Sequence, residues 1–247
     1  MSSLSNQRYT LASAAFIHPP ERQWVIERLY EPTLRAQDAY AVLEDMENNS
    51  LSPGHCDPGT LNLLFFSTIT LRPIKVLEIG THIGMGALII GSALAANNYG
   101  KLLTIEPQDV YASAATRYLS AARLDGRVEV LRGYSYDSDI QDRLGREGYF
   151  QIVYIDAAHD YASALSDIQL AASLLVENGI MILHDVGVIS DEVDASQRGG
   201  PRQALRDFCS SNAGFAPVFF EFPLWMNKCG AALVCKQALV VTGAKNA

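Results

Sequence analysis

Five short apolar runs punctuate the middle of the chain: Val76-Leu77-Glu78-Ile79, Leu102-Leu103-Thr104-Ile105, Val128-Glu129-Val130-Leu131, Ile152-Val153-Tyr154-Ile155 and Ile180-Met181-Ile182-Leu183. Their starts lie 26, 26, 24 and 28 residues apart. Between them the apolar positions take a helical spacing, over 86–96, 109–124, 138–144 and 161–175. Near-continuous apolar strands are buried on both faces, as in a parallel sheet covered by helices. Strands alternating with helices at this interval predict a doubly wound α/β domain. After the fifth run a polar stretch, 187–200, reads as a mobile loop without apolar anchors. A helix over 201–211 follows, then "PVFFEF" and "GAALVCK". This last pair predicts antiparallel strands that close a mostly parallel, seven-stranded sheet.

The first 60 residues follow another pattern. Residues 22–47 carry Val25, Ile26, Leu29, Leu34, Tyr40 and Leu43 at helical spacing, interrupted at Pro32. A turn-rich stretch leads into a second helix over 60–70, capped by Asp57 or Thr60. The division expected is a helical lid or dimer segment, 1–60, and a ligand-binding domain, 61–247.

Composition narrows the function. The 247 residues are 49% hydrophobic, enough for one sizeable core. The net charge of −8 and scattered arginines argue against a nucleic-acid surface. No apolar stretch reaches the roughly 18 residues of a membrane span. Only Arg8 and a short apolar patch at 11–17 mark the N-terminus, so no signal peptide is expected. Cys56, Cys209, Cys229 and Cys235 lack zinc or disulfide spacing, which points to reduced thiols in a cytoplasmic protein.

The chemistry gathers at the strand ends. Gly80-Thr81-His82-Ile83-Gly84-Met85-Gly86 departs from the G-x-G-x-x-G spacing of dinucleotide sites, which disfavours an NAD-dependent oxidoreductase. Ligands of such sheets bind beyond the carboxyl ends of the strands, where the strand order reverses. Glu78, placed inside an apolar run, suits a cationic ligand. Glu106 closes the second strand 28 residues later, in position to accept both hydroxyls of a ribose. Asp156 ends the fourth strand; His184 and Asp185 end the fifth.

In order, "VLEIGTHIG", "LLTIEP", "VEVLRGYSYD", "IVYIDAAHDY" and "ENGIMILHDV" resemble the successive motifs of class I S-adenosylmethionine-dependent methyltransferases. The likeness covers about residues 60–185. It is strongest to small-molecule O-methyltransferases of the catechol and antibiotic-tailoring types. It implies a Rossmann-like fold and an enzyme of specialised metabolism that methylates a hydroxyl of a small molecule. It also implies S-adenosylmethionine held by Glu78, Gly80, Thr81, Gly84, Glu106, Tyr134, Ser135 and Asp156, with the glycines making room for its methionine part. In catechol-type enzymes an acid at position 156 and an Asp-Asn pair at 184 and 185 bind magnesium, and a lysine at 159 is the base. Here His159 takes the base position beside Asp156, and His184-Asp185 replaces the pair. Asp156, His184 and Asp185 are therefore the metal candidates, although magnesium prefers oxygen ligands. Family members use their terminal segments as lids and dimer contacts, so a homodimer is expected. Two alternatives share the fold: an aminopropyltransferase of the spermidine synthase kind, and a non-catalytic S-adenosylmethionine-binding protein. Trp225 and Met226 read as core residues.

Overall fold

The computed structural model describes residues 28–52, 56–188, 190–221 and 229–237. Its sheet has the strand order β3-β2-β1-β4-β5-β7-β6. Five strands run parallel: β1 (Lys75–Ile79), β2 (Lys101–Glu106), β3 (Val128–Arg132), β4 (Phe150–Ile155) and β5 (Leu175–His184). Strand β7 (Ala231–Lys236) pairs antiparallel with both β5 and β6 (Phe215–Phe220). The seven-stranded, mostly parallel sheet is as expected. The order reverses between β1, which pairs with β2 on one side, and β4 on the other.

Period-two alternation divides each strand between two cores. Leu77, Ile79, Leu103, Ile105, Val153, Ile155 and Met181 pack on one face with Ile168 and Leu205. Val76, Leu102, Ile152 and Ile182 pack on the other with Leu88 and Ile89 of helix α4 (Met85–Ala96). The N-terminal helices belong to this second core. Leu34 of α1 (Glu31–Ala36), Leu43 and Met46 of α2 (Tyr40–Glu47), and Leu61 and Leu64 of α3 (Pro58–Leu71) are buried in it. Residue 60 lies inside α3, and the described N-terminal helices share this core with the sheet.

Pro32 stands in the first turn of α1, where a missing N–H costs nothing. A break follows where Asp38 takes a left-handed φ of 59° between α1 and α2. Residues 22–27 of the expected helix lie outside the described residues, as do Trp225 and Met226. At α3 the cap is Asp57, whose carboxylate accepts the Thr60 N–H at 3.0 Å.

Helices α5 (Asp109–Ala121), α6 (Ser138–Glu147) and α7 (Tyr161–Leu174) link the parallel strands. The polar stretch after β5 is not without anchors. It holds a short helix, α8 (Ser190–Val193), and its anchor is polar. Asp194 accepts the backbone N–H groups of Ser196, Arg198 and Gly200 at 2.8, 3.0 and 2.8 Å, at the start of α9 (Gly200–Ser211). Hydrogen bonds to Ser196 and to the backbone hold its carboxyl down at about 2. Asp194, inside the polar stretch read as a mobile loop, is buried. No helix among the described residues is long and apolar enough to cross a membrane.

Candidate active site

A cavity of about 770 Å³ opens beyond the carboxyl ends of β1, β2 and β4, at the reversal of strand order. Glu106 stands in its wall with both oxygens fixed: Oε2 accepts the His82 N–H at 2.8 Å and Oε1 that of Gln108 at 2.9 Å. Burial raises its carboxyl despite these bonds. Each oxygen keeps lone-pair capacity for a further donor. The His82 and Tyr111 rings meet beside it, 4.5 Å between centroids. At another part of the wall Tyr134 and Tyr136 stack at 4.9 Å. There the Ser135 hydroxyl donates to Asp167 at 2.5 Å. Gly80, Glu106, Tyr134, Ser135, Asp156 and His159 thus share one cavity.

Glu78, Thr81 and Gly84 are not brought into that wall. The glycines make room for the chain itself. A Cβ at Gly80 would fall on the Asp156 carbonyl, one at Gly84 would lie 3.1 Å from Ala115 Cβ, and one at Gly86 would strike the Glu78 carboxyl. Glu78 lies beneath Gly86, buried on the same sheet face as its register partners Thr104 and Tyr154. Thr104 donates to it and in turn meets the Thr81 hydroxyl. Burial, with Asp156 and Glu106 adding to it, pushes the Glu78 carboxyl up to about 8. Glu78 thus packs beneath the start of α4, with burial favouring its neutral form.

This charge state has a measurable consequence. A raised carboxyl stabilises the fold fully below its unfolded value, 4.5, and that contribution is lost as pH rises through about 8. The slope approaches about 1.4 kcal/mol per pH unit. Glu78→Gln, neutral throughout, should flatten the decline between pH 5 and 8 in urea unfolding. Equal pH dependence in the two proteins would refute the neutral assignment.

Beside the cavity the acids and histidines pair. His159 Nε2 lies 2.6 Å from Asp185 Oδ2, and this hydrogen bond raises the half-exposed imidazole above its ordinary value. The partner expected for His159 was Asp156; the fold gives it Asp185. Asp156 is engaged elsewhere, with Oδ2 accepting the Tyr154 hydroxyl at 2.7 Å and Oδ1 3.1 Å from His184 Nδ1. The other His184 nitrogen, Nε2, lies 3.0 Å from Asp57 Oδ2. Asp57, Tyr154 and Asp167 were not among the site residues read from sequence. Tyr154 carried a signal, since period two sets it on the face of Asp156. Asp57 is 127 positions from His184 and showed only as a helix cap.

The three metal candidates do not fit magnesium. That ion asks for near-octahedral oxygen donors. His184 offers nitrogen, and both its nitrogens already face carboxylates. The groups that could close around an ion there combine one carboxylate with the Cys56 or Cys229 thiol, or Asp156 and Asp185 with a second imidazole, His159.

Part of the chain is similar to known proteins. Residues 77–186 match the family described as "Methyltransferase domain". A catechol O-methyltransferase of Mycobacterium tuberculosis is 31% identical over 125 residues, which are 49% of this chain and 54% of that protein. The chain thus matches about half the length of this curated relative. Among solved structures, an O-methyltransferase from Bacillus cereus in complex with SAH superposes with a TM-score of 0.65 at 19% identity, covering 81% of this chain and 90% of that one. The O-methyltransferase TomG from Streptomyces achromogenes, involved in tomaymycin synthesis and solved with SAM, gives 0.65 at 20% identity, covering 84% and 90%. Both share the fold.

Proposed function

We propose that the chain is a class I S-adenosylmethionine-dependent methyltransferase that methylates a hydroxyl oxygen of a small molecule. The observation that carries this reading is the His159–Asp185 pair, which sets an imidazole at one part of a cavity that Glu106 lines at another. Aminopropyl transfer and a non-catalytic role are not favoured by relatives named as O-methyltransferases.

The cavity suits the cofactor in volume and in donors. Its size lies within the usual range for small-molecule sites. S-adenosylmethionine, when bound, supplies a methyl group activated by a cationic sulfonium. Glu106 accepts the two ribose hydroxyls through the lone pairs that His82 and Gln108 leave. Tyr134 and Ser135, with Asp167 behind them, shape the adenine end. The backbone of Gly80 and Asp156 borders the methionine end.

Asp185 holds His159 through Nε2 and leaves Nδ1 to receive the substrate's hydroxyl proton. The bound cofactor would supply the methyl carbon to that oxygen and leave as the neutral thioether, while His159 would keep the proton. Alignment of the two reactants is the larger part of such catalysis. The Asp-His arrangement fixes the tautomer and orientation of the base, as in other base–orienter pairs. The reading includes a cytoplasmic setting, in keeping with four cysteines that form no disulfide, and a homodimer, in keeping with exposed Phe66, Leu71 and Ile74.

Calorimetry with S-adenosylmethionine tests the cofactor assignment. Glu106→Ala should weaken binding by about 1–3 kcal/mol, the scale of hydrogen bonds to a charged group. Equal affinity in the two proteins would remove Glu106 from the ribose site.

A further inference from the structure

We infer that His184 is the resident cation of this site: an imidazolium clamped between Asp57 and Asp156 that stands where a divalent ion would otherwise act, with Asp57 as its positioning residue. The consequence for methyl transfer rests on the function proposed above; the clamp itself rests on geometry.

The His184 ring is 4% exposed, and its two nitrogens lie 3.0 and 3.1 Å from carboxylate oxygens on opposite sides. An ionised carboxylate only accepts, so each nitrogen must donate, and a ring that donates twice carries a positive charge. Asp57 accepts two further donors, both from Thr60, as an ionised carboxylate does, and these bonds help to lower its carboxyl against burial. The Thr60 N–H at 3.0 Å and hydroxyl at 2.8 Å fix Asp57 to the start of α3.

The other groups around the ring agree. Asp185 Oδ2 lies 3.6 Å from Nδ1, so three carboxylates face one cation, and His159 answers Asp185 from the other side. Cys56 is pushed up to about 12 by burial and stays a neutral thiol. Burial likewise raises Cys229 and, well above its ordinary value, Tyr154. An ion placed among Asp156, His184 and Asp185 would meet, on the His184 side, an N–H and a positive charge rather than a lone pair. The imidazolium and the ion exclude one another. Removing the ring's charge would strand buried carboxylates, which is strongly unfavourable.

The clamp also ties the N-terminal layer to the chemistry. Asp57 does not line the cavity, yet it orients His184, and His184 holds Asp156 at the cavity wall.

The test uses the full chain and reads the clamp without turnover. Nitrogen-15 spectra of histidine-labelled protein at neutral pH should show one buried ring protonated at both nitrogens. Calorimetry with magnesium chloride alone should give no saturable heat, and metal analysis should find no stoichiometric divalent ion. Saturable magnesium binding, or a neutral His184 ring, would overturn the inference whether or not the chain transfers methyl groups. Asp57→Asn keeps a capping side chain of equal quality. It should move the Nε2 proton resonance upfield and, if the proposed activity holds, lower kcat by roughly 10²-fold, the scale of small misplacements at reacting groups. An unchanged resonance in that variant would remove Asp57 from the clamp.

Discussion

Replacing His159 by alanine is expected to lower turnover about 10²- to 10⁴-fold, the span of general-base loss, with cofactor affinity nearly unchanged. The pairing with Asp185 makes the accompanying pH behaviour specific. Below its raised value His159 holds two protons and cannot accept another. The rate should therefore climb with pH through a limb that lies above the ordinary histidine value near 6.5. Asp185→Asn, which removes the cause of the shift, should bring that limb down, while His159→Ala should abolish it. Stability takes the opposite sign. A histidine raised in the folded state stabilises fully below its unfolded value, and the contribution fades as pH rises through the folded one. Activity and this increment of stability therefore trade across the same window. A wild-type rate that is flat across it, or an alanine variant of equal turnover, would end the assignment of His159 as base.

What the sequence showed, and what it hid, divides along a physical line. The five parallel strands were legible because burial on both faces leaves runs that few other environments select, and each run lies inside an observed strand. The start of β5 was not. Its first residues include Glu177 and Asn178, with Asn178 at a φ of 61°, so the polar pattern there hid five residues of strand. The strand-end acids and histidines were legible as well, since nothing in packing asks for Asp156 after "IVYI". Their pairings were not. Which carboxylate His159 meets depends on the turn at Asp185, whose φ is 55°, and on a partner for His184 that arrives from α3. Spacing cannot report a contact between residues so far apart. The glycines show the same limit in another form. Their type announces a close approach, but only the fold says that the approaching atoms are the chain's own.

The strongest test of that last point is Gly80→Ala. At Gly80 the φ is +96°, a conformation that an L side chain adopts only under strain of about 1–2 kcal/mol. The added Cβ would also fall on the Asp156 carbonyl oxygen and lie 2.6 Å from its carbon and 2.9 Å from Ala157 Cα, all backbone atoms with no rotamer to yield. Forcing atoms into a packed site costs a further 1–3 kcal/mol or so. The sum, about 2–5 kcal/mol, is a large share of the roughly 5–15 kcal/mol that holds a domain folded. Gly145→Ala provides the opposite case. Its Cβ would meet nothing within 4 Å, and it lies inside α6, where alanine is favoured over glycine by about 0.5–1 kcal/mol. Urea unfolding should thus move the two midpoints in opposite directions from the wild type. The damage at Gly80 should reach the site as well, because the displaced carbonyl belongs to Asp156, whose carboxylate faces His184. A Gly80→Ala protein with wild-type stability would mean that the β1 turn relaxes away from β4 freely, and the close approach would lose its place as the reason for the glycine.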